Sequence, residues 1–212
     1  ERMIREMGNG TNPSNNTKAK GSQFSQLNTP QTQINAVRKK YEGTSQWMKA
    51  PNGQPTKLNE MQWLQVRTPN FKAWFGDWED RKGNYSAVID RNGEPLVVRH
   101  YTSKQFDVFD ISKSDGFWFT DKESFDDDIG ASGSSRVIES FLNIRDPEYH
   151  GVNYDVEDYL NGIEEDGIIN TYESEDGSYK DYAVISPTQI KSATGNTGEF
   201  NPTNPDIRFS RK

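Results

Sequence analysis

The chain has 212 residues, of which 31% are hydrophobic, with no cysteine and a formal net charge of −7. The missing cysteine excludes disulfides, zinc-thiolate sites and a cysteine nucleophile. The acidic balance disfavours a grip on nucleic acid by phosphate neutralisation, although a nucleic acid met at a small site remains compatible with it. No apolar run approaches the ~18 residues of a membrane-spanning helix.

Mean hydropathy is −0.98, low for a fully packed chain, so part of it is expected to stay unpacked. Most of the aromatic residues lie beyond residue 60, which places the expected core there. Glu1 stands where a start Met would be, and the chain is expected to be a fragment or processed product of a longer polypeptide. Residues 8–35 are rich in Asn, Thr, Ser, Gln, Gly and Pro and read as a flexible linker. Residues 34–47 carry sparse apolar positions. The expected organisation is a polar tail over residues 1–57 and one domain over residues 58–212.

Asn59 is placed to cap a short helix through Met61, Trp63, Leu64 and Val66, which Pro69 ends. Phe71, Trp74 and Phe75 follow at i, i+3, i+4 spacing, one apolar helical face closed by Gly76. Residues 87–89 and 96–98 are apolar runs around Asn92-Gly93, a hairpin signal. Residues 116–120 and 137–144 read as strands, with Asp121 able to cap a helix after the first. Val156, Tyr159, Leu160 and Ile163 spell an amphipathic helix. Residues 167–169 and 182–185 are strands around an acidic turn, and Pro187 stops the last. Ile207 and Phe209 are the apolar pair of the tail. Strands dominate without βαβ alternation, so the class is α+β. No Rossmann fingerprint and no Walker A loop is present.

Two strand endings carry the candidate chemistry. Residues 96–102 end an apolar run in His100-Tyr101-Thr102, and residues 116–121 spell Gly-Phe-Trp-Phe-Thr-Asp. Strand alternation sends Phe117 and Phe119 to one face and Trp118 to the other. Taken alone, His100 is also a hydrogen-bonded strand-end residue, Trp118 plain core, and Gln189 a helix-start residue bonded to backbone. Asp126-Asp127-Asp128 lacks the spacing of a calcium loop and reads as a solvated helix face. Glu164-Glu165-Asp166 and residues 173–176 read as solvated acidic turns. His100 and His150 are the two histidines, too far apart in sequence to argue for a metal, so no metal is expected.

The ordered pieces Asn70-Phe71-Lys72-Ala73-Trp74-Phe75-Gly76-Asp77-Trp78, Gly93-Glu94-Pro95-Leu96-Val97-Val98, residues 116–120, Gln189-Ile190-Lys191-Ser192-Ala193 and Asn204-Pro205-Asp206-Ile207-Arg208-Phe209-Ser210 resemble the ADP-ribosyltransferase-like domains of polyvalent proteins of phages and mobile elements. More broadly the chain resembles the His-Tyr-Glu branch of diphtheria-like toxins and poly-ADP-ribose polymerases. The resemblance implies a split antiparallel sheet core with short helices, and NAD as substrate. It implies that His100 holds the NAD ribose and that the backbone at Tyr101, where the family has Gly, pairs with the nicotinamide amide. Thr102 supplies the usual hydroxyl. Trp118 falls where the first stacking Tyr stands. Ile129 falls at the second, with Phe125 as a substitute. Gln189 falls where the Glu stands; its carbonyl can orient a ribose but cannot act as a general base.

The implied function is a mono-ADP-ribosyltransferase of a phage or mobile element, acting on a host protein or other macromolecule. It would work in the virion or the host bacterial cytoplasm, with virion proteins as further partners and no membrane or non-specific nucleic-acid binding. Tyr101, Ile129 and Gln189 lean toward the alternative, a catalytically weak module of the same fold kept as a virion or polyprotein component. NAD hydrolysis without an acceptor is the third reading.

Overall fold

The computed structural model describes residues 29–81, 83–122, 136–151, 163–174 and 177–208. The expected linker over 8–28, the helices after Asp121 and around Val156, the Asp126–128 run, Phe125, Ile129 and Phe209 lie outside the described residues.

Among the described residues three short helices precede the sheet: α1 (Pro30–Tyr41), α2 (Glu60–Gln65) and α3 (Pro69–Phe75). Thr29 caps α1 through the Thr32 N–H, and Pro30 opens it where a missing N–H costs nothing. Asn59 and Gln62 cap α2 reciprocally, as a capping box. Gly76 closes α3 at φ +97°, and a Cβ there would fall 2.3 Å from the Tyr85 Cα. A side chain at that position meets both positive φ and backbone, which is why the helix ends on glycine.

Seven strands follow in one sheet: β1 (Val98–Thr102), β2 (Phe117–Thr120), β3 (Arg136–Leu142), β4 (Pro147–His150), β5 (Gly167–Ser174), β6 (Gly177–Val184) and β7 (Ile190–Ser192). Their order is β4-β5-β6-β2-β1-β3-β7, antiparallel except for β4 on β5. The α+β class is therefore the observed one. The hairpin signal at Asn92-Gly93 gives a tight turn, with Gly93 at φ +84° and Ile89 bridged to Pro95. The strands of the acidic hairpin run further than their apolar cores suggested, because Asn170 to Ser174 pair with Asp181 to Gly177 along the ladder.

The helices build their own core. Trp63, Phe71, Trp74, Phe75 and Trp78 pack with Phe141 of β3 and with Phe200 from the far end of the chain. Each indole N–H finds a backbone carbonyl: Trp63 at Lys49, Trp74 at Thr188 and Trp78 at Val66. Ile34 and Val37 of α1 are buried in this cluster. Residues 30–57 are thus built into the fold, which corrects the expected boundary at residue 57. Two apolar residues suffice for α1 because Trp63 and the 198–200 segment supply the rest of the contact surface. A second cluster, with Val98, Phe109, Phe117, Phe119, Tyr182 and Ile207, lies on the sheet.

A buried ion pair locks the hairpin turn to the helices. Arg67 donates to Glu94 at 2.8 Å, and both side chains are almost fully enclosed. The guanidinium also lies 3.8 Å from the Trp63 ring and donates to the Trp63 and Lys49 carbonyls. Removing Glu94 leaves the buried guanidinium to the longer carboxylate contact of its Nε with Glu79, at 3.4 Å. Glu94→Ala is expected to cost about 3 kcal/mol or more, read as a lower urea midpoint with an unchanged m-value.

Candidate active site

The sheet is not evenly stitched at its centre. β1 pairs with β3 over five residues and β2 pairs with β6 over four. β1 and β2 share one pair, Arg99 with Thr120. Beyond it a side chain spans the gap: His100 Nδ1 lies 2.8 Å from the Trp118 carbonyl oxygen. A carbonyl only accepts, so Nδ1 carries the proton and Nε2 the lone pair.

The register decides what each face holds. Adjacent partners in a ladder share a face. Phe119 is on the His100 face, their rings 5.4 Å apart. Phe109 meets the imidazole edge-on at 5.0 Å, and Phe106 at 6.1 Å. A cavity of about 310 Å³ opens there, lined by His100, Phe106, Val108, Phe109, Ser114 and Phe117. Lys104, Asp110 and Lys113 stand around it. Burial pushes the imidazole below the usual histidine range, against the opposing pull of the Trp118 carbonyl. His100 is therefore neutral near pH 7, with an acceptor at Nε2 suited to a hydroxyl.

Trp118 leaves from the other face. It pairs with Ala183 and packs against the cluster of Ile168 and Ala183. Phe117 and Phe119 go to the core, as alternation required. Tyr101 shares the Trp118 face, where burial raises its hydroxyl pKa and Arg99 lowers it. The Thr102 hydroxyl oxygen accepts the Lys104 N–H and starts the loop that walls the cavity. The predicted site thus divides, with His100 on one face of the split and Trp118 and Tyr101 on the other.

Gln189 is elsewhere. Its Oε1 accepts the Ser186 N–H, and its Nε2 donates to the carbonyls of Asn143 and Asp166. Both amide hydrogens and the carbonyl are in use. His100 pairs with Ile138, and Asn143 lies five residues on, roughly 17 Å at strand spacing. Gln189, expected at the ribose, is placed apart from His100 and ties the end of β3 to the start of β5. Ser186 and Gln189 form a capping box, a spacing visible in the sequence. Asp166 is likewise more than solvated, since its carboxylate accepts the N–H groups of Arg145 and Asp146.

The structure offers another carboxylate. Asp181 pairs with Thr120, which places it on the Trp118 face, diagonal to Trp118 at about 7–8 Å. Burial raises its pKa, opposed by the Thr120 hydroxyl beside it. Asp121 is also raised by burial, and the Tyr182 hydroxyl lies beside it. Sequence reasoning passed over Asp181 because only the β2–β6 register brings it beside Thr120, one strand from the split. Asn170, its partner on β5, is fully buried and neither amide atom has a protein partner. Among the described residues no cluster of three metal-ligating side chains gathers.

Residues 90–159 match the family described as ADP-ribosyltransferase in polyvalent proteins. That stretch, about a third of the chain, is similar to an ADP-ribosyltransferase-like domain of that kind. The matched stretch holds both edges of the split, His100 on β1 and Trp118 on β2. No curated protein and no solved structure matches the chain.

Two outcomes follow from this geometry. Gln189→Ala is expected to lower stability by about 1–3 kcal/mol, the cost of orphaning its half-buried backbone partners, while leaving ligand binding at the split unchanged. The buried neutral His100 takes up a proton more readily once unfolded, where its pKa is near 6.5. Its contribution to stability is therefore whole above pH 6.5 and falls as the pH drops from there toward its lower folded value. His100→Gln is expected to flatten that acid limb in unfolding curves taken from pH 7 to pH 5.

Proposed function

We propose that the chain is a mono-ADP-ribosyltransferase that cleaves NAD at the nicotinamide–ribose bond and passes ADP-ribose to a host macromolecule. The observation that carries this reading is the bridged split: a neutral histidine and an aromatic cavity on one face, a tryptophan and a carboxylate on the other. A dinucleotide laid across it meets Nε2 of His100 as acceptor for a ribose hydroxyl. Trp118 offers a flat ring to the flat, cationic nicotinamide.

The chemistry asks for little else. The C1′–N bond breaks with its electron pair leaving on nicotinamide, and positive charge builds on the ribose. A carboxylate aimed at that ribose stabilises the charge. Asp181 takes this role in place of Gln189. A nucleophile of the acceptor then bonds to C1′, and its proton passes to the Asp181 carboxylate, whose raised pKa suits it as a base. NAD is a substrate here, and no metal enters the scheme.

A phage or mobile element is the proposed source, and the virion or the host bacterial cytoplasm the proposed place of action. The second reading, a catalytically weak module kept for contacts with virion or polyprotein partners, draws on the short Asp181 side chain and on Tyr101, whose ring crowds the Trp118 face.

The test is nicotinamide release from NAD by the purified chain, with and without host lysate. Release that depends on lysate, and that falls at least about 100-fold in Asp181→Asn, is expected. His100→Ala and Trp118→Ala are expected to weaken NAD binding in calorimetry. No release and no NAD binding would favour the second reading.

A further inference from the structure

The wall of the His100 cavity is held from outside. The loop carrying Phe106, Val108 and Phe109 contributes no strand to the sheet. A segment far away in sequence, residues 204–208, runs along it. Val108 bridges Asp206, the Ile207 N–H donates to the Asp107 carbonyl at 2.9 Å, and Arg208 pairs with the Asp107 carboxylate at 2.5 Å. The Ile207 side chain is buried in the cluster that holds Phe109 and Phe117, two residues of the cavity lining.

The segment is stiff for reasons written in its sequence. Asn201, Asn204 and Asp206 each accept the N–H two residues on, at Thr203, Asp206 and Arg208. These are consecutive Asx turns, and Pro202 and Pro205 fix the intervening φ angles. The sheet edge anchors it. The Ile207 carbonyl accepts from the Ser192 N–H and from Asn196 Nδ2, and the Arg208 carbonyl accepts from the Thr197 N–H. Beneath it Lys191, fully buried, donates its ammonium to the Asn204 carbonyl. A rigid strap thus runs from β7 to the cavity loop.

We propose that residues 204–208 are a positioning strap for the NAD cavity: through the Arg208–Asp107 pair and the Ile207 anchor they hold Phe106 and Phe109 against His100 and so set the affinity for NAD. The proposal rests on the reading of the split as the NAD site. Arg208 and Asp107 touch no reacting atom in it. Their effect reaches the substrate through the aromatic wall, so it falls on binding and leaves the chemical step alone.

The test uses the full chain with Arg208→Ala, Asp107→Ala, the double variant and Arg208→Lys. Two readouts are taken: NAD affinity by calorimetry, and the His100 pKa by NMR, with His150→Gln assigning the second imidazole. The pair is partly exposed, so each single alanine is expected to weaken NAD about two- to fivefold with kcat unchanged. The double variant is expected to be no worse than Arg208→Ala, which also gives up the Asp206 carboxylate at 3.7 Å, since the Arg208–Asp107 pair is one interaction. Arg208→Lys is expected to restore much of the loss. The His100 pKa is expected to rise toward 6.5 in the alanine variants, because a loosened wall hydrates a ring whose charged neighbours Lys104, Asp110 and Lys113 stay in place. Unchanged affinity and an unchanged His100 pKa would overturn the strap, as would losses that add. A wild-type chain that binds no NAD would overturn the NAD reading, and with it the affinity claim. The His100 shift separates the two failures, because it reports on the wall without NAD.

Discussion

The single contact on which the site depends is His100 Nδ1–H on the Trp118 carbonyl. An antiparallel ladder that ran on past Arg99 and Thr120 would fill the centre of the sheet with backbone pairs. Here β1 stays with β3 and β2 with β6, and the two halves part. A side chain then satisfies a carbonyl that the ladder leaves unpaired. The same bond fixes the imidazole tautomer and presents Nε2 as an acceptor. Fold and candidate chemistry therefore share one hydrogen bond.

The rest of the molecule keeps that opening in place. Phe71, Trp74 and Phe75 pack on Phe141 of β3, so the helical core braces one half of the sheet. The Arg67–Glu94 pair ties the turn that leads into β1 to the same core. Ile168, Ala183 and Trp118 pack together across the other half. On the cavity side the loop around Phe106 and Phe109 leans on the C-terminal strap. Each half has packing of its own, in the helical core and in the Ile168–Ala183 cluster.

Local signals were legible in the sequence wherever one residue type fixes one geometry. Gly93 after Asn92 marked the turn, Gly76 the end of α3, and the alternation of Phe117, Trp118 and Phe119 sent the right rings to the core. Those same facts placed the two edges of the split. What stayed hidden needed partners distant in sequence. The burial of Ile34 and Val37 depends on Trp63 and Phe200, and Asp181 comes onto the Trp118 face only through its pairing with Thr120. Gln189 is the instructive case, because the family's order pointed to the ribose while its spacing from Ser186 was already a capping box. The local rule held, and its hydrogen bonds place Gln189 apart from His100.

The measurement that tests the central claim most directly is hydrogen–deuterium exchange with and without saturating NAD. The account predicts protection confined to the two edges of the split and its neighbours: residues 98–109, 115–121 and 179–183. The region around Gln189 and the helical core should be unchanged. Protection centred on the helical core, or none at the His100 and Trp118 edges, would contradict the assignment of the split as the NAD site.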